Sequence, residues 1–168
     1  SQILTHYPKT IQLSKEITLQ EAKLSAAQKA SIQVHPFIAE LLERIAFEAR
    51  ESEFVDKKSG VSARLTISAY ENLVSTIERR ILLNNEQIGI ARISDLHGVI
   101  PAINGKIELV YEGEQEGAAV VAQHLISKAI RAQFIQHFPD PAKLKKKKDP
   151  NPYQPLVEWF SKGNETDI

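Results

Sequence analysis

The chain contains no cysteine, which excludes disulfides, thiolate catalysis and Cys-based zinc sites. That absence fits an intracellular protein, and a cytoplasmic location is expected. Methionine is missing too, even at position one, so the expected reading is a piece of a longer protein whose upstream part carries further residues. Charge of either sign is not in excess: 21 Lys and Arg balance 21 Asp and Glu. Nothing global therefore attracts a polyanion, and a general nucleic-acid binder is disfavoured. No apolar run approaches the ~20 residues needed to cross a bilayer, and no basic-then-apolar leader opens the chain; no membrane span is expected. The five His residues form neither His-x-x-x-His nor His-Glu-x-x-His, and no Ser sits in a hydrolase motif. A phosphate loop is missing as well. Gly105-Lys106 is the one Gly-Lys pair to test, but Ile107 occupies the hydroxyl position and Ile100 stands where the first Gly belongs.

What is present is helical periodicity. Residues 9–30 are strong helix formers with apolar positions at Ile11, Leu13, Ile17 and Leu24, and the spacing predicts one helix with a thin apolar face. Pro36 opens a better-marked helix. There Ile38, Leu41, Leu42, Ile45, Ala46 and Ala49 form the core stripe, and Glu40, Glu43, Arg44 and Glu48 are read as its wet face, with Glu40 and Arg44 as an ordinary i, i+4 pair. A charged connector follows, with Phe54-Val55 folding back onto the core. Next comes a central helix carrying Tyr70, Leu73, Val74, Ile77 and Ile81. Two caps compete for its start: Ser62, or Ser68 in the box Ser68-Ala69-Tyr70-Glu71. Asn84-Asn85 should end it, because Asn tolerates the left-handed conformation.

Ser94 is the expected cap of a brief helix with Leu96, Val99 and Ile100, which Pro101 should end or bend. Alternation at Ile107, Leu109 and Tyr111 predicts a short extended segment with no evident partner. Gly117 should open a second long helix over residues 118–138, terminated by Pro139-Asp140-Pro141. The expected fold is an all-α helical bundle with at most one short extended segment and a C-terminal extension. Its domain would be residues 1–138, and residues 139–168 would be a Pro/Lys-rich linker with a short helix docked on the bundle by Leu156, Trp159 and Phe160.

Arg64 stands out chemically. Placed at the entrance of the central helix, it would add a planar guanidinium fork to a helix start that already offers unpaired N–H donors and partial positive charge. Such a place suits a phosphate, and the hydroxyl of Ser62 lies beside it.

The run 54–71, with Ser59-Gly60-Val61-Ser62-Ala63-Arg64-Leu65-Thr66-Ile67 at its centre, resembles the sensor-2 segment of AAA+ ATPases of the magnesium chelatase ATPase-subunit type, including chelatase-like proteins related to the MoxR group. Residues 100–114, beginning Ile100-Pro101-Ala102-Ile103-Asn104-Gly105, and the opening Leu4-Thr5-His6-Tyr7-Pro8 resemble the same proteins. The resemblance implies a helical lid in which Arg64 reaches the terminal phosphates of ATP, with Ser62 as a second nucleotide-binding position. It further implies ATP with Mg²⁺ in the full-length protein, an N-terminal AAA+ core in the same chain, a homo-oligomeric ring, and a chelatase-type partner subunit. Hydrolysis would drive partner remodelling or metal insertion, and this part alone would not be active. The other reading is a non-enzymatic helical interaction module that docks a protein or nucleic acid, with Lys145, Lys146, Lys147 and Lys148 as the polyanion contact.

Overall fold

Thr10 starts the first helix: its hydroxyl accepts the N–H of Leu13 at 3.2 Å, and α1 runs Ile11–Glu21. The computed structural model describes residues 6–144 and 151–163. Where the sequence pattern predicts one helix to residue 30, the chain breaks after Glu21 and restarts as α2 (Ala26–Ser31). A reciprocal cap causes the break. Ser25 Oγ accepts the Gln28 N–H at 3.1 Å, and Gln28 Oε1 accepts the Ser25 N–H at 3.0 Å, which satisfies two donors at a new helix start. A two-residue strand, β1 (Ile32–Gln33), leads to α3 (Pro36–Glu51). Pro36 sits in the first turn, where an N–H is not needed, and His35 Nδ1 accepts the N–H of Phe37 at 3.2 Å.

Helix α4 (Leu65–Asn84) is the central element, burying Leu65, Leu73, Val74, Ile77 and Ile81, and it ends at Asn85 with φ 55°. The left-handed stop expected from the Asn pair is present. Neither Ser62 nor Ser68 caps its start by side chain; Arg64 is the capping-position residue. Strand β2 (Gly89–Ile90) pairs in parallel with β1, Ile32 opposite Gly89 and Gln33 opposite Ile90. The sequence gives no alternation there. Close approach is what counts: a Cβ at Gly89 would lie 2.5 Å from Ile77 Cγ2.

A 3₁₀ segment (Ile93–Val99) then runs into α5 (Ile100–Asn104). Two expectations are corrected here. Asp95 rather than Ser94 organises the start, its carboxylate accepting the Arg92 N–H at 2.8 Å. Pro101 opens α5 rather than ending a helix, since its missing N–H costs nothing in a first turn. The extended segment also finds its partner. Leu109 bridges Val55 and Ile107 bridges Val61, both antiparallel, with Asp56 N–H donating to Glu108 C=O at 2.9 Å and Ser62 N–H to Lys106 C=O at 3.1 Å. Tyr111 belongs instead to α6 (Tyr111–Glu116), where a Cβ at Gly113 would stand 2.5 Å from the Phe54 carbonyl oxygen. Helix α7 (Ala118–His137) buries Val121, Ala122, Leu125, Ile126 and Ala129.

The fold is thus all-α, with Leu41, Leu42, Ile45, Leu73, Ile77, Leu96, Ile103 and Leu125 fully enclosed in one core. Each such side chain contributes about 1.5–3 kcal/mol of burial. Two compact units are present, Ser1–Gln133 and Phe134–Ile168. In the second, α8 (Pro141–Leu144) precedes α9 (Gln154–Ser161). Phe134 stacks on Phe138 at 4.8 Å, and the Tyr153 hydroxyl donates to Pro139 C=O at 2.6 Å. Within α9, Leu156 is 57% and Phe160 59% exposed, and the helix has no buried residue. No helix among the described residues is long and apolar enough to cross a membrane.

Candidate functional site

The approach to α4 is built by an acidic turn. The Asp56 carboxylate accepts the Lys58 N–H at 2.8 Å and the Ser59 hydroxyl at 2.9 Å. The Lys58 backbone bond foremost, then the Ser59 hydroxyl, holds this carboxyl below its usual range. The turn closes with Gly60 N–H on Asp56 C=O at 3.0 Å, and Gly60 adopts φ +74°. A side chain there would be strained by conformation and would also meet the Tyr7 hydroxyl, 2.7 Å from the Cβ position. Val61 is buried by its bridge to Ile107. Ser62 then turns the chain into the helix: its hydroxyl accepts the Arg64 N–H at 3.2 Å and its carbonyl the Leu65 N–H at 3.0 Å.

Arg64 is exposed, and among the described residues its side chain makes no hydrogen bond or ion pair. Beside it lies an open groove of about 840 Å³, lined by His6 and Tyr7, residues 59–63 and residues 105–108. Ser62 lies in that lining and Arg64 one residue beyond its edge, so the local turn brings both sequence candidates to one place. Ser62 has a defined role in the turn. Lys106 adds a cation to the lining and Glu108 an opposing carboxylate. Lys145, Lys146, Lys147 and Lys148 lie outside the described residues.

The larger correction concerns α3. Glu43, read as part of the wet face, is 1% exposed. It is enclosed by hydroxyls from two other helices: Ser14 Oγ donates to Glu43 Oε2, and the hydroxyls of Thr18 and Thr66, themselves hydrogen-bonded at 2.8 Å, lie beside the carboxyl. Burial pushes this acid above its ordinary value, while the three hydroxyls and Arg50 oppose the rise. The signal was available in the row Ala39, Glu43, Ala46, three and four residues apart, because both alanines are buried. Arg50 lies over the Tyr7 ring at 4.3 Å and the Phe47 ring at 5.0 Å, with its basicity lowered by burial against the pull of Tyr7 and Glu43. Arg44 and Glu40 reach beyond their own helix. Arg44 Nε donates to Gln133 Oε1 at 2.9 Å, and Glu40 pairs with Lys15 at 2.8 Å, tying α7 and α1 to α3.

Among the described residues no group of three or more His, Asp or Glu side chains comes together to hold a metal ion. The chain matches no protein-family model, and its comparison with curated proteins and with solved structures likewise finds no match.

Proposed function

We propose that this chain is the C-terminal lid region of a magnesium chelatase-like AAA+ ATPase, in which Arg64 reads the terminal phosphate of ATP. The observation that carries the reading is an exposed guanidinium, without a partner among the described residues, at the N-cap of a 20-residue helix. A phosphate-reading Arg has to be left unneutralised by its own lid, and Arg64 meets that condition among the described residues. In this proposal the AAA+ core supplies the phosphate loop and the Mg²⁺, and ATP lies between that core and this lid. Hydrolysis removes a charge-assisted contact worth about 1.5–3 kcal/mol, the lid changes its angle, and the motion passes around a homo-oligomeric ring to a remodelled partner or a metal-inserting subunit.

The test is Arg64→Ala in the protein that joins this lid to its ATPase core. ATP turnover or nucleotide-dependent assembly should fall roughly 10-fold or more, with the helical signal of the lid unchanged because Arg64 is exposed and lacks structural bonds. Wild-type turnover and assembly would reject the role. The exposed apolar side chains of α9 favour the second reading, a docking module. Its nucleic-acid version predicts steeply salt-dependent binding that vanishes when Lys145, Lys146, Lys147 and Lys148 are neutralised, and the absence of any DNA or RNA shift at low salt removes that version.

A further inference from the structure

Helix α1 docks in an unusual way. Its two buried residues are Ser14 and Thr18, whereas Leu13, Ile17 and Leu19 are 43%, 40% and 51% exposed. A surface helix ordinarily turns its apolar stripe inward; this one turns in two hydroxyls. Both lead to one point. Ser14 Oγ donates to Glu43, and Thr18 Oγ1 donates to Thr66 Oγ1 at 2.8 Å, with both threonine hydroxyls beside the Glu43 carboxyl. Thr66, itself 5% exposed, lies in the first turn of α4, two residues after Arg64. One enclosed carboxyl therefore touches α1, α3 and the start of the helix that carries Arg64.

We propose that Glu43 is the positioning residue of this junction: through Thr66 it sets the first turn of α4, and through Ser14 and Thr18 it latches α1 to the same point, so that its protonation governs whether α1 stays docked. The latch stands independently of the nucleotide reading; only its consequence for Arg64 rests on that reading. The neighbouring charges do not replace Glu43. Arg50 acts on it from the same helix, Lys15 of α1 is committed to Glu40 at 2.8 Å, α4 presents the Thr66 hydroxyl, and the leading segment brings Tyr7 against Arg50.

The sign follows from burial. A carboxyl raised above its ordinary value of 4.5 contributes stability that is complete below that value and is lost as pH rises through the raised one. Ionisation places a desolvated charge among hydroxyls that cannot all turn to it, because the Thr18 hydroxyl donates to Thr66. The remaining ties of α1 are fewer and more open: Lys15 to Glu40, and the Lys23 N–H just beyond it to Glu71 Oε1 at 2.8 Å. Undocking should then be local, leaving the apolar core of α3, α4 and α7 in place.

Hydrogen exchange on the whole chain, expressed as protection factors from pH 4.5 upward, tests this. In the wild-type protein, protection of the α1 amides should fall by up to tenfold per pH unit above 4.5 and level off once the docked Glu43 has ionised, and the Ser68 amide, which donates to Arg64 C=O at 3.0 Å, should follow it. Amides of Leu73 and Ile77 should not. Glu43→Gln keeps the shape and removes the charge, so α1 should stay docked at every pH. Thr18→Val, which preserves volume and removes a hydroxyl, should loosen α1 alone and serves where Glu43→Gln does not fold. A pH slope that persists in Glu43→Gln, or loss of α1 and core protection together, overturns the latch. Arg64→Ala should leave this exchange pattern unchanged whatever it does to ATP turnover, so wild-type turnover in Arg64→Ala would reject the sensor and spare the latch, whereas an exchange pattern without a Glu43-dependent pH slope would reject the latch and spare the sensor.

Discussion

Arg80→Met should cost about 3–5 kcal/mol of unfolding free energy in a urea titration, more than loss of an exposed ion pair. Arg80 projects from α4 and donates through Nε and Nη2 to both oxygens of Asp95 at 3.1 Å each, through Nη2 to Ile90 C=O at 2.8 Å, and through Nη1 to Glu86 at 3.5 Å. Asp95 is 5% exposed and retains only the Arg92 N–H, at 2.8 Å, when the guanidinium is gone. A buried carboxylate without its counter-ion is the expensive state. Arg80→Lys should fall between, since an ammonium cannot supply the two-pronged fork. Arg80→Met combined with Asp95→Leu should recover much of the loss by removing both charges. A cost below about 1 kcal/mol for Arg80→Met would place the pair among solvent-screened surface bridges.

This clamp also shows what could be read from the sequence. Repeating apolar positions located α3, α4 and α7, because burial of a stripe imposes its period directly. The Asn pair located the end of α4, because few residues accept φ 55°. Polar residues were misread where tertiary contacts decided their role. Glu43 has the helical spacing of a solvent-facing acid relative to Glu40, yet Ser14 and Thr18 from a helix 25 or more residues earlier enclose it, and no local pattern contains that partner. Ser25-Ala26-Ala27-Gln28 was different, for its Ser-x-x-Gln cap is a local signal; the surrounding run of helix formers outweighed it. The pairing of Val55 with Leu109 joins residues more than 50 apart, so alternation near Leu109 announced a strand-like piece without naming its mate.

The candidate site divides the same way. Arg64 at a helix entrance was legible from the apolar period of α4, but the choice between Ser62 and Ser68 as cap was not, because neither caps the helix. Ser62 is used one step earlier, turning the chain so that Arg64 itself takes the capping position. The groove beside it needed residues 105–108 and Tyr7 to arrive from distant parts of the chain, and the antiparallel bridges of Val55 with Leu109 and Val61 with Ile107 hold residues 105–108 there.

The segment that follows Arg80 and Asp95 should be equally intolerant of added volume. Gly98 lies in that 3₁₀ segment against α4, and a Cβ there would clash with Thr76 Oγ1 and stand 2.9 Å from both Thr76 Cβ and Cγ2. Rotation offers no escape, since every branch of the threonine is involved and its hydroxyl is bonded to Asn72 C=O at 2.8 Å. Gly98→Ala should therefore cost about 1–3 kcal/mol and Gly98→Val about 3 kcal/mol, read as lowered urea midpoints. Thr76→Ala in the Gly98→Ala background should return part of that loss, giving a favourable coupling in a double-mutant cycle. Gly105→Ala is the matched control: its nearest heavy atom is Pro101 O at 3.4 Å and its φ is −79°, so its effect should stay within about 0.5 kcal/mol. Equal midpoints for the two alanine variants would mean that the 3₁₀ segment can move off α4 freely, and the Asp95 clamp would then have no fixed partner to hold.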